Sequence, residues 1–370
     1  MEAPRKIFVA STRQNDGKTV VSIGLVRALR RRFSKVGFIK PVGQKYVMVE
    51  GEKVDKDALL MKKVCGLDDD VRDMSPIAVD ETFTRKYLES PDQKRLLGII
   101  RASYERIADG KDVVVVEGTG HAGVGSVFDL SNAQVARFLR TPVALITIGG
   151  IGRPIDEIAL NAALFEQCEV PITGVIVNKL LAEKKVQAMR WLRRGFERTG
   201  RVLLGAIPYV PVLSRPTIGQ ICEAVRGRMI SGEGKSDKKV THIIVGAMTP
   251  RHSLDYFKPE SLLITPGDRE DLILAALSQR SMTESGEELM CGLVLTGGLS
   301  PHRAILELIR KAELPTVMVH EGTYEVASQV HELVVKVRAE DIEKIELAER
   351  LVEEHVAIDR MLDLSAAGGF

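Results

Sequence analysis

The sequence predicts an α/β protein: a mostly parallel sheet with helices on both faces, followed by a second, smaller α/β domain. Three observations carry that expectation. Short runs rich in β-branched residues alternate with helix-length amphipathic stretches along the chain. The 370 residues exceed what one typical core supports. One segment, Ser231 to Lys239, contains no hydrophobic residue and reads as a linker. The expected organisation is a first domain over 1–228, a linker over 229–239, a second domain over 240–357 and a tail over 358–370.

In the first domain the rhythm opens with a strand at Ile7 to Ala10, a helix at Thr19 to Arg32 and a strand at Lys35 to Ile39. Later strands are expected at Val113 to Val116, Val143 to Ile148, Ile172 to Val177 and Val202 to Ile207. Helices are expected at Pro91 to Ala108 and Pro154 to Gln167. Ser90 before Pro91 is a favourable start, because serine caps exposed amides and proline has no N–H to lose there. Beyond the linker, strands are expected at Val240 to Ala247, Ser261 to Ile264, Gly292 to Leu295 and Thr316 to Val319. Helices are expected near Asp268 to Leu277 and Pro301 to Lys311. A charged helix from Glu340 to Val356 closes the second domain, and Ser365 to Phe370 read as frayed.

Composition excludes several classes. A net charge of +2 is too small to steer the molecule onto nucleic acid or an anionic membrane, and 5% aromatic residues supply no base-stacking platform. No apolar run reaches spanning length and the N-terminus lacks the apolar core of a signal peptide, so a cytoplasmic protein is expected. Cys65, Cys168, Cys222 and Cys291 are too scattered for a zinc site or disulfide framework.

The first chemistry-bearing segment lies between the first strand and first helix: Ser11-Thr12-Arg13-Gln14-Asn15-Asp16-Gly17-Lys18-Thr19. Glycine lets backbone approach a phosphate, lysine brings a point charge to the outer phosphates, and a threonine hydroxyl can hold Mg²⁺ at the helix start. This order and placement predict a P-loop for Mg-ATP, with Asn15, Gly17, Lys18 and Thr19 as its binding residues. The alternative is an ordinary βα turn with an exposed lysine. Thr12 stands where the usual P-loop has glycine, so the loop is expected to differ in shape.

At this point the chain resembles dethiobiotin synthetase, whose loop also carries that threonine. The resemblance continues through Gly37-Phe38-Ile39-Lys40-Pro41-Val42, Asp57-Ala58-Leu59 and Val113 to Gly118. It implies that Thr19, Asp57 and Glu117 hold Mg²⁺, with Lys18 on the phosphates and Lys40 near the transferred phosphoryl group. Hard oxygen ligands suit Mg²⁺ independently. Read alone, Asp57 fits a helix start, whereas Glu117 ending a buried strand is hard to explain without a cation. Gly174 to Lys179 and Ile207-Pro208-Tyr209-Val210-Pro211 resemble the segments in which Asn178 reads adenine and Pro208 lines the base. A strand-to-loop turn is the other reading of Asn178. The resemblance also implies a homodimer. The second-substrate half of the site departs from the family: Gln44 replaces the serine after Lys-Pro, and the glycine-rich loop is Gly118-Thr119-Gly120-His121. Dethiobiotin synthesis itself is not expected.

Residues from Gly219 to Val356 resemble the DRTGG domain through Asp268, Arg269, Thr296, Gly297 and Gly298. The two glycines between a strand and a helix could form an anion nest, with Arg269 and Thr296 as further donors. They could equally serve only a tight turn. Together the modules look like the N-terminal part of long phosphotransacetylases without the acetyltransferase domain, so acetyl transfer is not expected of this polypeptide by itself. The leading expectation is a nucleotide-responsive regulatory protein. The alternative is an ATP-dependent ligase or amidotransferase-like enzyme acting on a small carboxylate or amine.

Overall fold

The computed structural model describes residues 3–279, 289–333 and 335–367. It forms two compact units, one of residues 1–210 with 337–370, the other of residues 211–336. The first is built on a six-stranded sheet: β1 (Arg5–Ser11), β2 (Val36–Ile39), β3 (Val113–Glu117), β4 (Val143–Ile148), β5 (Ile172–Leu180) and β6 (Leu203–Pro208). The order is β6-β5-β4-β1-β3-β2 and every pairing is parallel. Val113, Val114, Val115 and Val116 are all fully buried. Four consecutive buried side chains point alternately to both faces, so helices must cover both. Because β1 lies between β3 and β4, its neighbours continue in opposite directions, and the crevice beyond its carboxyl end lies at this switch.

The helices of this unit include α1 (Lys18–Arg32), α2 (Lys56–Cys65), α3 (Gln93–Ala108), α4 (Gly152–Gln167) and α5 (Lys185–Arg198). The cap of α3 differs from expectation. Asp92 accepts the Arg95 amide, while Ser90 closes a preceding helix, Glu81–Glu89. A hairpin of Tyr46–Val49 and Glu52–Asp55 was not legible in the sequence, and it delivers Asp55 to the start of α2.

The second unit holds β7 (Arg228–Ser231), β8 (His242–Val245), β9 (Ser261–Pro266), β10 (Met290–Thr296) and β11 (Thr316–Met318) in the order β7-β11-β10-β9-β8. All pairings are parallel except that of β7 with β11. Its helices include α6 (Glu270–Gln279), α7 (Arg303–Lys311) and α8 (Thr323–His331). Leu262 and Ile264 enter one core and Leu263 the other, as a strand buried on both faces requires. The expected linker is folded. Its first residue ends β7, Glu233–Lys235 form a short 3₁₀ turn and Lys239 bridges Thr217. The polar stretch is part of the second unit, which begins at Pro211 rather than after residue 239.

The charged C-terminal helix α9 (Ile342–His355) belongs to the first unit, not the second. It lies along α1. A Cβ on Gly24 would stand 2.4 Å from the Ala348 carbonyl oxygen and 2.6 Å from a Val352 methyl. The backbones approach because glycine has no side chain to hold them apart. Glu349, nearly buried, receives Arg27 at 2.6 Å and Arg31 at 2.5 Å, and Glu353 receives Arg32 at 2.6 Å. The arginine run ending α1 is therefore an ion-pair seam. The tail over 358–370 forms α10 (Ile358–Ala367) with Met361 and Leu362 buried, and the stretch expected to fray from Ser365 is helical to Ala367; residues 368–370 lie outside the described residues. No described helix is long and apolar enough to cross a membrane. Gly24→Val should destabilise the first unit by about 2 kcal/mol or more, since the overpacked contact is partly backbone. Urea unfolding followed by circular dichroism checks this, and an unchanged midpoint would contradict the close packing.

Candidate functional site

The P-loop leaves the carboxyl end of β1 and turns into α1. Asn15 and Gly17 both have positive φ, 69° and 88°, with Asp16 between them. Gly17 is required here, because a Cβ would stand 2.3 Å from Asn178 Nδ2. It also occupies the N-cap of α1 and supplies no side-chain cap, so the first amides of the helix keep their donors for a ligand.

Thr12 explains how this loop manages without the usual glycine. Its buried hydroxyl lies 2.9 Å from Asp16 Oδ2, 3.0 Å from Glu157 Oε2 and 3.2 Å from Thr147 Oγ1. The Arg13 amide also donates to Asp16 Oδ2, at 2.8 Å. Burial pushes the Asp16 carboxyl above its ordinary range against these two hydrogen bonds. Burial also works against the charge on Glu157, but hydrogen bonds from Arg153 and Thr12, with Arg13 close by, outweigh it and hold that carboxyl low. Arg13 and Arg153 meet Glu157 at 2.7 and 2.6 Å. One helical turn on, Asn161 Nδ2 donates to Thr12 O while its Oδ1 accepts the Ala122 amide, joining the P-loop to the loop after β3. Sequence reading missed Asp16, Glu157 and Asn161. The available signal was that Glu157 and Asn161 flank the buried stripe Pro154, Ile158, Ala162 and Phe165 of α4.

The charged centre gathers residues that are far apart in the chain. Lys18 is buried and its ammonium is pushed down to about 8, chiefly by burial, with Lys40 adding repulsion and Glu117, Asp57 and Asp16 opposing the shift. Lys40 is buried too. Burial lowers its basicity, but the carboxylates of Glu117, Asp57 and Asp55 together outweigh that and hold it above the ordinary lysine range. Lys40 Nζ is paired with Asp57, lies 3.1 Å from Asp55 Oδ1 and is 3.6 Å from Glu117 Oε1. Asp55 caps α2 by accepting the Asp57 amide at 2.8 Å. Of the expected residues, the structure thus brings Lys18, Lys40, Asp57 and Glu117 into one cluster, and Asp55 joins them unanticipated. Thr19 stands one residue beyond Lys18 in the first turn of α1.

Glu117 is the outlier. It is fully buried, and neither carboxylate oxygen has a hydrogen-bond partner. Three carboxylates here face two ammonium groups, an excess of negative charge that a divalent cation would neutralise. Among the described residues no group of three His, Cys, Asp or Glu side chains is placed to hold a metal by itself. Mg²⁺ takes one or two carboxylates and fills its remaining positions with water and phosphate oxygens, and Asp57 and Glu117 could supply the carboxylates. The residues present fit the cation.

Asn178 lies two residues before the end of β5 and Pro208 ends the neighbouring β6. The Asn178 amide, however, is engaged with protein: Nδ2 donates to Asp16 O at 2.8 Å and Oδ1 accepts the Lys179 amide at 2.9 Å. A cavity of about 190 Å³ beside it is lined by Gly149, Gly150, Lys179, Leu181 and Gln187 among others. His121 is exposed, and its Nδ1 accepts the Gly123 amide.

In the second unit the expected anion nest is closed. The Gly297 amide donates to Glu321 O at 2.8 Å and the Gly298 amide to Val319 O at 2.9 Å. Thr296 Oγ1 meets Thr323 Oγ1 at 2.7 Å. Arg269 binds Asp271 and reaches the Gly246 and Met248 carbonyls. With φ of 77° and 65°, the two glycines serve a tight turn, and the arginine is a strap between loops.

Comparison with known proteins agrees with this division. A family model described as an AAA domain matches residues 5–217, and a DRTGG domain model matches residues 220–333. The phosphate acetyltransferase of Nitratidesulfovibrio vulgaris is 26% identical over 365 residues, covering 95% of this chain and 50% of the relative. That of Pseudomonas aeruginosa is 29% identical over 366 residues, covering 94% and 50%. The chain thus spans about half the length of the curated relatives it matches. Among solved structures, the MinD cell division protein of Aquifex aeolicus matches with a TM-score of 0.36 at 17% identity, covering 56% of this chain and 83% of that one. The chain belongs to the family of that AAA domain, a dethiobiotin-synthetase-like P-loop domain here followed by a DRTGG domain, the arrangement that phosphate acetyltransferases carry in their N-terminal part.

Proposed function

We propose that the first unit binds Mg-ATP and acts in the cytoplasm as a nucleotide-responsive regulatory module. The observation that carries the reading is Glu117, a carboxylate taken fully out of water with no hydrogen bond to either oxygen. Such a group is costly unless a cation meets it. In this reading Thr19, Asp57 and Glu117 hold Mg²⁺, which would neutralise phosphate charge. Lys18 and the amides at the start of α1 hold the outer phosphates, and Lys40 keeps its proton in a dry site, placed to meet a terminal phosphoryl oxygen. Asp16, Glu157 and Asn161 hold the loop's shape. Pro208 and the cavity beside Asn178 flank the space open to a base.

A regulatory rather than ligating role is supported by the departures at Gln44 and at the loop Gly118-Thr119-Gly120-His121, where the resembled enzymes hold their second substrate. Any response to nucleotide requires two arrangements of the protein that ATP binds unequally. The helix carrying Lys18 and Thr19 is the one packed on α9, so a shift of α1 would be felt along that seam. A homodimer is part of the proposal. Leu160 on α4 and Val186 on α5 are 77% and 89% exposed, on helices that touch where Gly195 meets Ile155.

Lys18→Ala should weaken ATP binding in calorimetry by about 100-fold, the scale of a lost charge-assisted contact, while leaving the unliganded melting temperature within a few degrees. Equal binding by both proteins would refute the P-loop reading. Asp57→Asn and Glu117→Gln should each weaken ATP only with Mg²⁺ present, and their effects should be coupled in a double-mutant cycle. Losses that are identical in chelator would remove the metal assignment. ADP release that depends on an added small carboxylate or amine would replace the regulatory reading with a ligase. Light scattering should give about twice the chain mass at micromolar concentration, and the chain mass alone would count against the dimer.

A further inference from the structure

The end of β5 does something for the phosphate loop that its place beside the base does not require. Besides the Thr12 carbonyl held by Asn161, two further P-loop carbonyls are pinned from outside the loop by consecutive residues of this strand. Asn178 Nδ2 donates to Asp16 O at 2.8 Å, and Lys179 Nζ donates to Asn15 O at 2.8 Å. The clasp is itself held rigid. Asn178 is 6% exposed and its Oδ1 accepts the Lys179 amide, while Lys179 adopts a positive φ of 56°. The Asn178 amide packs so closely on Gly17 that no Cβ would fit between them.

A peptide unit points its carbonyl and its N–H in opposite directions. Fixing the carbonyls of residues 15 and 16 toward β5 therefore aims the amides of residues 16 and 17 away from it. Successive amides turned to one side by alternating left-handed and right-handed residues form an anion-binding concavity. Asn15 and Gly17 supply the left-handed members. We infer that Asn178 and Lys179 are positioning residues for the phosphate loop, acting on the phosphates through the backbone of residues 15–17. The two bonds of the Asn178 side chain use one of the amide's two N–H donors and one of the two lone pairs on its oxygen, so holding the loop does not depend on a base being bound.

This inference rests on the reading of the P-loop as a triphosphate site, and the test separates the two. The full chain is titrated calorimetrically with Mg-ATP, Mg-GTP and Mg-tripolyphosphate, the last having no base. Lys18→Ala reports on the P-loop reading: if the wild type binds none of the three, or Lys18→Ala binds all as well as wild type, that reading fails. Asn178→Asp keeps the shape and the acceptor for the Lys179 amide but loses the donor to Asp16 O. Lys179→Met removes the other pin and leaves Asn178 in place, so the inference stays testable if Asn178→Asp does not fold. Each variant is expected to lose affinity for tripolyphosphate, with a similar loss for both nucleotides: about tenfold for Asn178→Asp, the scale of one buried hydrogen bond, and less for Lys179→Met, whose bond is exposed. A variant that binds tripolyphosphate like wild type but loses preference for ATP over GTP would overturn the inference and make Asn178 a base reader.

Discussion

A glutamate at the carboxyl end of a strand buried on both faces is the constraint around which the first unit is arranged. Glu117 is fully buried and neither of its carboxylate oxygens is hydrogen-bonded to protein, so its charge must be met by other charges. The fold supplies Lys40 from the end of β2 and Lys18 from the start of α1, and the Tyr46–Val49 and Glu52–Asp55 hairpin brings in Asp55 and Asp57. Each of these elements ends at the crevice where strand order reverses, which is why residues spread from 18 to 117 meet there. Opposite perturbations follow from placement. Burial dominates at Lys18, whereas three carboxylates dominate at Lys40. One lysine is poised to gain from an arriving anion, and the other is already satisfied.

The loop between them is held by a scaffold different from that of a glycine-rich turn. Thr12 ties its own backbone segment to Asp16 and to Glu157 on α4, and Asn161 carries the tie on to Ala122. Asn178 and Lys179 close the other side. In the proposed function, a loop already fixed by side chains from β5 and α4 would lose little freedom on binding phosphate, and preorganisation of this kind is where charge stabilisation gains most.

The sequence made much of this legible, and its failures have physical reasons. Strands β1 to β6 could be read because strands buried on both faces are near-continuous apolar runs, clearest in Val113 to Val116. Lys18, Lys40, Asp57 and Glu117 could be read because each follows a short motif at an element's end. Asp55 could not, since the edge hairpin that delivers it is half polar. Glu157 and Asn161 look like solvated helix positions until α4 is seen to lie against the P-loop. The segment from Ser231 to Lys239 shows that a polar stretch can be folded when its backbone is paired, as the bridge from Lys239 to Thr217 shows. The charged helix expected from Glu340 to Val356 is present as α9, but nothing in its sequence places it on α1 rather than in the second unit. Gly297 and Gly298 mark backbone geometry, and only the structure reveals that their amides donate to Glu321 and Val319.

The central claim, that a buried charge cluster built on Glu117 is a cation and triphosphate site, is tested most directly by a crystal structure of the full chain grown with Mg²⁺ and a non-hydrolysable ATP analogue. The account predicts the outer phosphates against Lys18 and the start of α1, with a hydrated cation bridging a phosphate oxygen, Thr19 and the carboxylates of Asp57 and Glu117. A nucleotide bound elsewhere, or phosphates at the loop with Glu117 still lacking any cation or hydrogen bond, would contradict it.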